Sequence, residues 1–324
     1  MDRNESTETT PKRFGYPLQW QGSIWCSKVS LRTSFPGAVR DEARLNCIDV
    51  DVIASARAFR SLLGFVSNTS QDFSFHLQVV EGTLLFTQRG PTDDEVNFGS
   101  RNSGYGHNFE DHCSKPLPGL EDSNSHHRVI RYKLRDLNCV VRFEADAFEI
   151  DEPENADTNA ANSGQHNSAL SPILPSYMGP VAEGKTANEF TRVILLGRDI
   201  PSSSLVEMKM ARPRYATQKF MFTLPQLWFT QTRTLFVGVY ASGYCTGIHK
   251  FDAHTSFAAW EQKHGFALRR LVCLIKELRD CAMNAPGGHC IIAHENSSRR
   301  LEVYQAKAKQ NALPELIIQQ FWRR

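Results

Sequence analysis

Two short stretches set charged residues two apart on what read as strands. In SLVEMKMA (204–211) they are Glu207 and Lys209, and in RFEADAFEI (142–150) they are Glu144 and Asp146. Side chains alternate faces along a strand, so each pair shares a face; in the first stretch Leu205, Glu207 and Lys209 lie on one side and Val206, Met208 and Met210 on the other. Burying a charge among apolar neighbours costs on the order of several kcal/mol unless a counter-charge, hydrogen bonds or a metal offsets it. Adjacent carboxylates also repel one another, and a divalent cation relieves that repulsion. Taken singly, each stretch reads as a solvated edge strand with a surface ion pair of small energetic weight. Taken together, E-x-D followed by E-x-K is a pattern for metal-assisted hydrolysis of phosphate esters. Carboxylate oxygens hold Mg²⁺ or Mn²⁺, the metal makes water nucleophilic, and a lysine orients that water or neutralises charge on the phosphate.

The elements that must carry these side chains follow from pattern and punctuation. The segment 49–66 has helical spacing of apolar residues around Ile53, Ala56, Phe59 or Arg60, and Leu63, and predicts an amphipathic helix. Residues 73–90 predict a hairpin turning at Glu81 and Gly82, and 128–150 two strands joined near Asp136. Further strands are expected at 190–197 and 204–210, a short helix at 224–232, a hairpin at 234–252, a helix at 256–285 with an interruption at Gly265, and late strands in CIIAHE and LEVYQ. With no fixed-period repeat, the pattern predicts a single α/β (α+β) domain with a mixed β-sheet core flanked by helices. Residues 1–14 are expected to be a disordered N-terminus, 15–324 the folded domain, and the polar stretch 151–188 a mobile insertion.

Composition narrows the classes. Among 324 residues, 41% are hydrophobic and 22% charged, near globular averages, so neither a fibrous nor a wholly disordered chain is expected. No apolar run is long enough to span a membrane and the N-terminus lacks a signal-peptide core, so no membrane partner is expected and the protein is placed inside the cell, in nucleus or cytoplasm. Eight cysteines without a CxxC pair read as reduced core thiols. The net charge of +2 does not itself indicate nucleic acid, but 126–137, 191–200 and 208–219 are locally basic and could meet a phosphate backbone.

Two further elements complete the constellation: GYGHNFE (104–110), with Glu110 directly after Phe109, and LPQLWFTQT, with Gln226 seventeen residues beyond Lys209. With these the chain resembles the decapping exoribonuclease (DXO-like) family of RNA 5′-end quality-control enzymes. Its signature is glycine-aromatic-x-aromatic-Glu, then Glu-x-Asp, Glu-x-Lys, and a Gln ahead of a Val-Gly strand end. Here the order runs Gly106, His107, Asn108, Phe109, Glu110; Glu144 with Asp146; Glu207 with Lys209; and Gln226, twelve residues before Gly238. His107 stands where an aromatic is usual.

The resemblance covers residues 45–275 and implies a fold related to the PD-(D/E)XK nucleases, with two divalent ions, Mg²⁺ or Mn²⁺. It further implies Glu110, Glu144, Asp146 and Glu207 as metal ligands, joined by the main-chain carbonyl of Met208, and Lys209 and Gln226 at the scissile phosphate and water. The family's helix arginine falls here on Ala56, six residues before Leu62 and Leu63, which leaves the adjacent Arg57 as the candidate substrate contact. The activity implied is removal of incomplete or non-standard caps or a 5′-triphosphate from RNA, with 5′–3′ exoribonuclease activity and a 5′–3′ exoribonuclease partner alongside. A non-catalytic RNA-binding or partner-stabilising protein of the same fold, and a DNA nuclease, remain alternatives.

Overall fold

The computed structural model describes residues 24–26, 47–88, 105–116, 125–149, 200–297, 300–306, 312–313 and 315–323. The predicted N-terminal tail, the 151–188 insertion and the strand at 190–197 lie outside them. In chain order the strands are β1 (Ile24–Cys26), β2 (Val52–Ser55), β3 (Phe73–Val80), β4 (Thr83–Gln88), β5 (Lys115–Pro116), β6 (His127–Leu134), β7 (Leu137–Glu144), β8 (Ala147–Glu149), β9 (Leu205–Ala211), β10 (Thr234–Ala241), β11 (Tyr244–Asp252), β12 (His289–His294) and β13 (Leu301–Gln305). The helices are α1 (Ala56–Val66), α2 (Gly106–Cys113), α3 (Ala216–Thr230), α4 (His254–Asn284) and α5 (Glu315–Phe321).

The mixed α+β core is as predicted, and its strands divide between two sheets. One has the order β11-β10-β9-β8-β1-β5, the other β13-β12-β3-β4-β2-β7-β6. β7 and β8 are consecutive in the chain yet belong to different sheets, so Ala145 and Asp146 form the link that crosses from one to the other. The main-chain N–H of Ala145 donates to the carbonyl of His126, 2.8 Å, which ties the link to the start of the β6–β7 hairpin.

The predicted hairpins form. Glu81 and Gly82 both take positive φ, 47° and 87°, as do Ser242 and Gly243 at 51° and 84°, the handedness that two-residue hairpin turns demand. The segment 49–66 is not helical throughout. Val52 and Ile53 pair in parallel with both β4 and β7, and the helix starts only after Ser55, whose side chain accepts from the N–H of Ala58 at 3.2 Å. The apolar run before the cap is a central strand, which helical spacing imitated. α3 begins eight residues earlier than predicted and passes through Pro225, a residue that removes one helical donor without ending the helix here. α4 runs unbroken for 31 residues past Gly265, since its inward stripe of Trp260, Leu268, Leu271, Val272, Ile275 and Leu278 is buried from end to end. Cys47, Cys139 and Cys290 are buried thiols as expected, whereas Cys273 and Cys281 are exposed, turned outward by the same helical period that buries Leu271, Val272 and Ile275.

α1, α3 and α4 pack together against the sheets. Phe59 of α1 stacks on Phe229 of α3 at 5.5 Å, and Trp228 of α3 meets Trp260 of α4 at 5.0 Å. The Tyr132 hydroxyl donates to the carbonyl of Phe229, 3.2 Å, tying α3 to the second sheet. No helix among the described residues is long and apolar enough to cross a membrane. Because Phe59 is 1% exposed and locks α1 onto α3, Phe59→Ala is expected to lower stability by about 3–5 kcal/mol in urea denaturation.

Candidate active site

β9 is an interior strand, parallel to β10 on one side and antiparallel to β8 on the other. Leu205 joins the main core on one face, while Val206 and Met208 join Phe109, Ala147 and Phe236 in a smaller cluster on the other. Glu207, 2% exposed, therefore sits inside the protein and not at a wet edge. Its Oε1 accepts from Lys209 Nζ and from Gln226 Nε2, the latter at 2.6 Å. The side-chain oxygen of Gln226 in turn accepts from Arg60 Nη1 at 2.7 Å. A guanidinium only donates and a carboxylate only accepts, so the two neighbours dictate which way the Gln226 amide faces.

Asp146 reaches the same place from the crossing link. Pairing of β8 with β9 runs through Ala147 and Val206 and goes no further, and the Asp146 carboxylate takes the N–H of Met208 at 2.7 Å. Lys209 Nζ lies 3.5 Å from Asp146 Oδ2 and donates to the carbonyl of Met208 at 3.0 Å. The ammonium is thus held by Glu207, Asp146 and the Met208 carbonyl, three of the five oxygen donors expected for a divalent ion. Among the described residues no three carboxylate, histidine or cysteine side chains are grouped to hold a metal; a main-chain oxygen completes this set. All-oxygen donors with two carboxylates fit a hard cation.

Glu110 approaches from α2. Its carboxyl is pushed up to about 7, chiefly by burial, then by the charge of Asp146, with Lys209 and His107 opposing and Glu144 adding to the rise. Burial and Asp146 also push Glu207 up to about 7 against the pull of Lys209 and Arg60, while Lys209, drawn by Glu207 and Asp146, is held above its usual value despite burial. His107 Nδ1 stands 3.7 Å from Glu110 Oε2. What holds α2 in place is a missing side chain: a Cβ on Gly238 would come within 2.8 Å of the Phe109 ring and 2.4 Å of Met210 Sδ. The bare backbone of β10 lets the tip of the Phe109 ring, 1% exposed, pack against Gly238, with Glu110 the next residue of α2.

Asp146, Glu207, Met208, Lys209 and Gln226 are therefore in direct contact, and Glu110 is within electrostatic reach. Glu144 is exposed at the end of β7, on the other side of the crossing link from Asp146, so the two are not neighbours on one strand as their spacing suggested. Ala56 is buried and Arg57 is exposed. The arginine that enters the site is Arg60, one helical turn beyond Arg57. Burial and the charge of Arg57 pull its pKa below the usual value, Glu207 opposes them, and its Nε is buried without a hydrogen-bond partner among the described residues. Lys219 is a second cation that the motifs did not reveal; its ammonium feels both Lys209 and Glu207. The available signal for both was helical spacing, Arg60 lying three residues after Arg57 and Lys219 seven before Gln226.

A family model described as Domain of unknown function (DUF8563) matches residues 35–322. The chain belongs to the DUF8563 family. No curated protein matches the sequence. Among solved structures, S. pombe Rai1 is similar with a TM-score of 0.52 at 10% identity, over 80% of this chain and 72% of that one. The S. pombe Rai1 complex with 3′-FADP gives 0.51 with the same identity and coverage. Scheffersomyces stipitis Rai1 gives 0.50 at 14% identity, over 80% and 69%. The DUF8563 chain thus has the Rai1 fold, as its resemblance to the decapping exoribonucleases implied.

Two measurements probe this geometry. In Gly238→Val the new side chain must push Phe109 off the sheet, so α2 should shift and the Glu110 carboxyl should return toward the ordinary range of about 4.3, read from its carboxyl resonance in an NMR titration. Because Glu110 and Glu207 bind protons more tightly folded than unfolded, their contribution to stability is full below the unfolded carboxyl value of 4.5 and falls as pH rises to about 7. Chelator-treated wild type should lose melting temperature across that window more steeply than Glu207→Gln.

Proposed function

We propose that this protein is a metal-dependent hydrolase of phosphate bonds at RNA 5′ ends, acting on incomplete or non-standard caps or on 5′-triphosphates, with exonucleolytic degradation as a second activity of the same site. The observation that carries the reading is the oxygen nest of Glu207, Asp146 and the Met208 carbonyl, already organised around a cation, with Gln226 and Arg60 beside it. Rai1 of S. pombe, whose fold this chain shares, has been solved with the nucleotide 3′-FADP, which supports a nucleotide end as ligand.

A divalent ion bound in the nest would supply the positive charge that activates water and stabilises a departing oxygen. Glu207 and Asp146 would hold it with the Met208 carbonyl, and Glu110 is the next carboxylate within reach. Arg60 donates to Gln226 through one nitrogen and keeps a buried Nε spare, so it can meet a phosphate oxygen without releasing Gln226. Arg57, exposed one turn earlier on α1, offers a second positive charge on the approach. Gln226, with its amide orientation fixed at both ends, can place a water or a phosphate oxygen. Lys209 would compete with a divalent ion for these oxygens, and its flexible stem could turn the ammonium toward a substrate phosphate.

The full engagement of Lys209 by the acids also favours a second reading, an RNA-binding protein of the same fold without turnover. Product analysis separates the two, using 5′-triphosphate, capped and 5′-monophosphate RNAs and single-stranded DNA with Mg²⁺ or Mn²⁺. A hydrolase releases nucleotide or pyrophosphate from at least one RNA; a binder retains all of them intact. Lys209→Ala should bind Mn²⁺ at least as tightly as wild type by calorimetry, since a competing cation is gone, yet lower kcat more than it raises KM. Glu207→Ala should lose both ion binding and turnover while still binding RNA. Wild-type rates in both variants would refute the mechanism.

A further inference from the structure

α3 carries a feature that the acid cluster does not use. Counting back from Gln226, the residues at four, seven and eleven positions are Phe222, Lys219 and Tyr215. That spacing sets Gln226, Phe222 and Lys219 on one side of α3 as a stripe, and Tyr215 is the residue at the helix cap immediately before its first turn. Phe220, Thr223, Leu224 and Leu227 bury the other side against the core, whereas Phe222 is 74% and Tyr215 42% exposed. The Arg214 guanidinium lies over the Tyr215 ring at 4.6 Å. Lys219, between the two aromatics, is close enough to Lys209 and Glu207 to feel both charges. A lone exposed aromatic needs no explanation. Aromatics alternating with cations along a line that ends in the site do.

The basic stretch predicted at 126–137 contrasts with this one. There Arg128 donates to the carbonyl of Ile200 and Arg131 pairs with Asp49, so those side chains brace the fold. The basic residues around 212–219 lie instead at the exposed start of α3.

We propose that the Tyr215–Lys219–Phe222 stripe is a stacking track for a single-stranded polynucleotide. Bases lie on the Phe222 and Tyr215 rings, phosphates meet Lys219 and Arg214, and the strand end is delivered to Gln226. From its start at Ala216 to Gln226 the helix rises about 15 Å, the length of about four stacked nucleotides at about 3.4 Å each. Paired bases offer no free face, so a duplex is excluded from the rings and the ligand is single-stranded. This deepens the proposed function and rests on it for the claim that the arriving end is the 5′ end.

The test is fluorescence anisotropy with 3′-labelled, 5′-phosphorylated oligouridylates of two and six nucleotides, in chelator so that nothing is cleaved. Wild type should bind the hexamer more tightly than the dimer. Phe222→Ala and Tyr215→Ala should each weaken the hexamer roughly 5- to 100-fold with the melting temperature unchanged, Tyr215→Ala should leave the dimer unaffected, and Phe222→Trp and Tyr215→Phe should bind as wild type. Lys219→Ala should reduce the salt dependence of hexamer binding by about 0.7 of a log unit per log unit of salt. Hexamer affinity indifferent to both aromatic substitutions, as a protein-docking patch would give, overturns the track, as does equal loss for dimer and hexamer in Tyr215→Ala. Length-dependent binding by a wild type that hydrolyses no RNA would refute the hydrolase reading and leave the track standing. Hydrolysis without length dependence would do the reverse.

Discussion

A buried carboxylate governs the architecture around it. Glu207 sits on an interior strand with almost no water around it, and an isolated charge there would be untenable. The fold answers with Lys209, Gln226 and, through Gln226, Arg60. Each partner comes from a different place: the same strand, the helix behind it, and a helix that belongs with the second sheet. Removing one member leaves the others buried and unpaired, which is where such networks are most costly to disturb. Burial and the charge of Asp146 raise the carboxyls of Glu110 and Glu207, and the Arg60 Nε is buried without a hydrogen-bond partner among the described residues. Stability alone would be served as well by packed hydrocarbon, yet the surrounding apolar core holds this polar network in place.

The supporting parts are correspondingly apolar. Phe109 against Gly238 fixes α2, and Phe59 against Phe229 fixes α1 on α3. Neither contact involves a charged atom, yet the first sets the height of Glu110 and the second the distance from Arg60 to Gln226. The chemistry is carried by a few polar atoms whose positions are decided by ring packing.

Much of this was legible in the residues. The period-two spacing of Glu207 and Lys209 gave their shared face directly, and the order of the four short motifs led to the right fold. The spacing of Glu144 and Asp146 misled as to the strand and not the neighbourhood: the chain leaves its sheet between them, yet both charges act on Glu110. Val52 and Ile53 misled for a related reason: a fully buried central strand has no polar face, so its apolar run merges with the helix that follows, and only the cap at Ser55 marks the border. Arg60 was invisible as a site residue because its partner, Gln226, is 166 positions away along the chain. No local pattern encodes a contact of that kind.

The crossing at Ala145 and Asp146 makes the site a joint. Glu144 ends a strand of one sheet, and Asp146 is bound to the main chain of the other through the N–H of Met208. Their separation is therefore a gauge of how the two sheets sit, and any slip of one against the other opens or narrows the acid cluster without altering a single acidic residue. Ring packing of α1 and α3 against the strands, such as Phe59 on Phe229, can therefore alter the placement of these acids while every acidic residue stays the same.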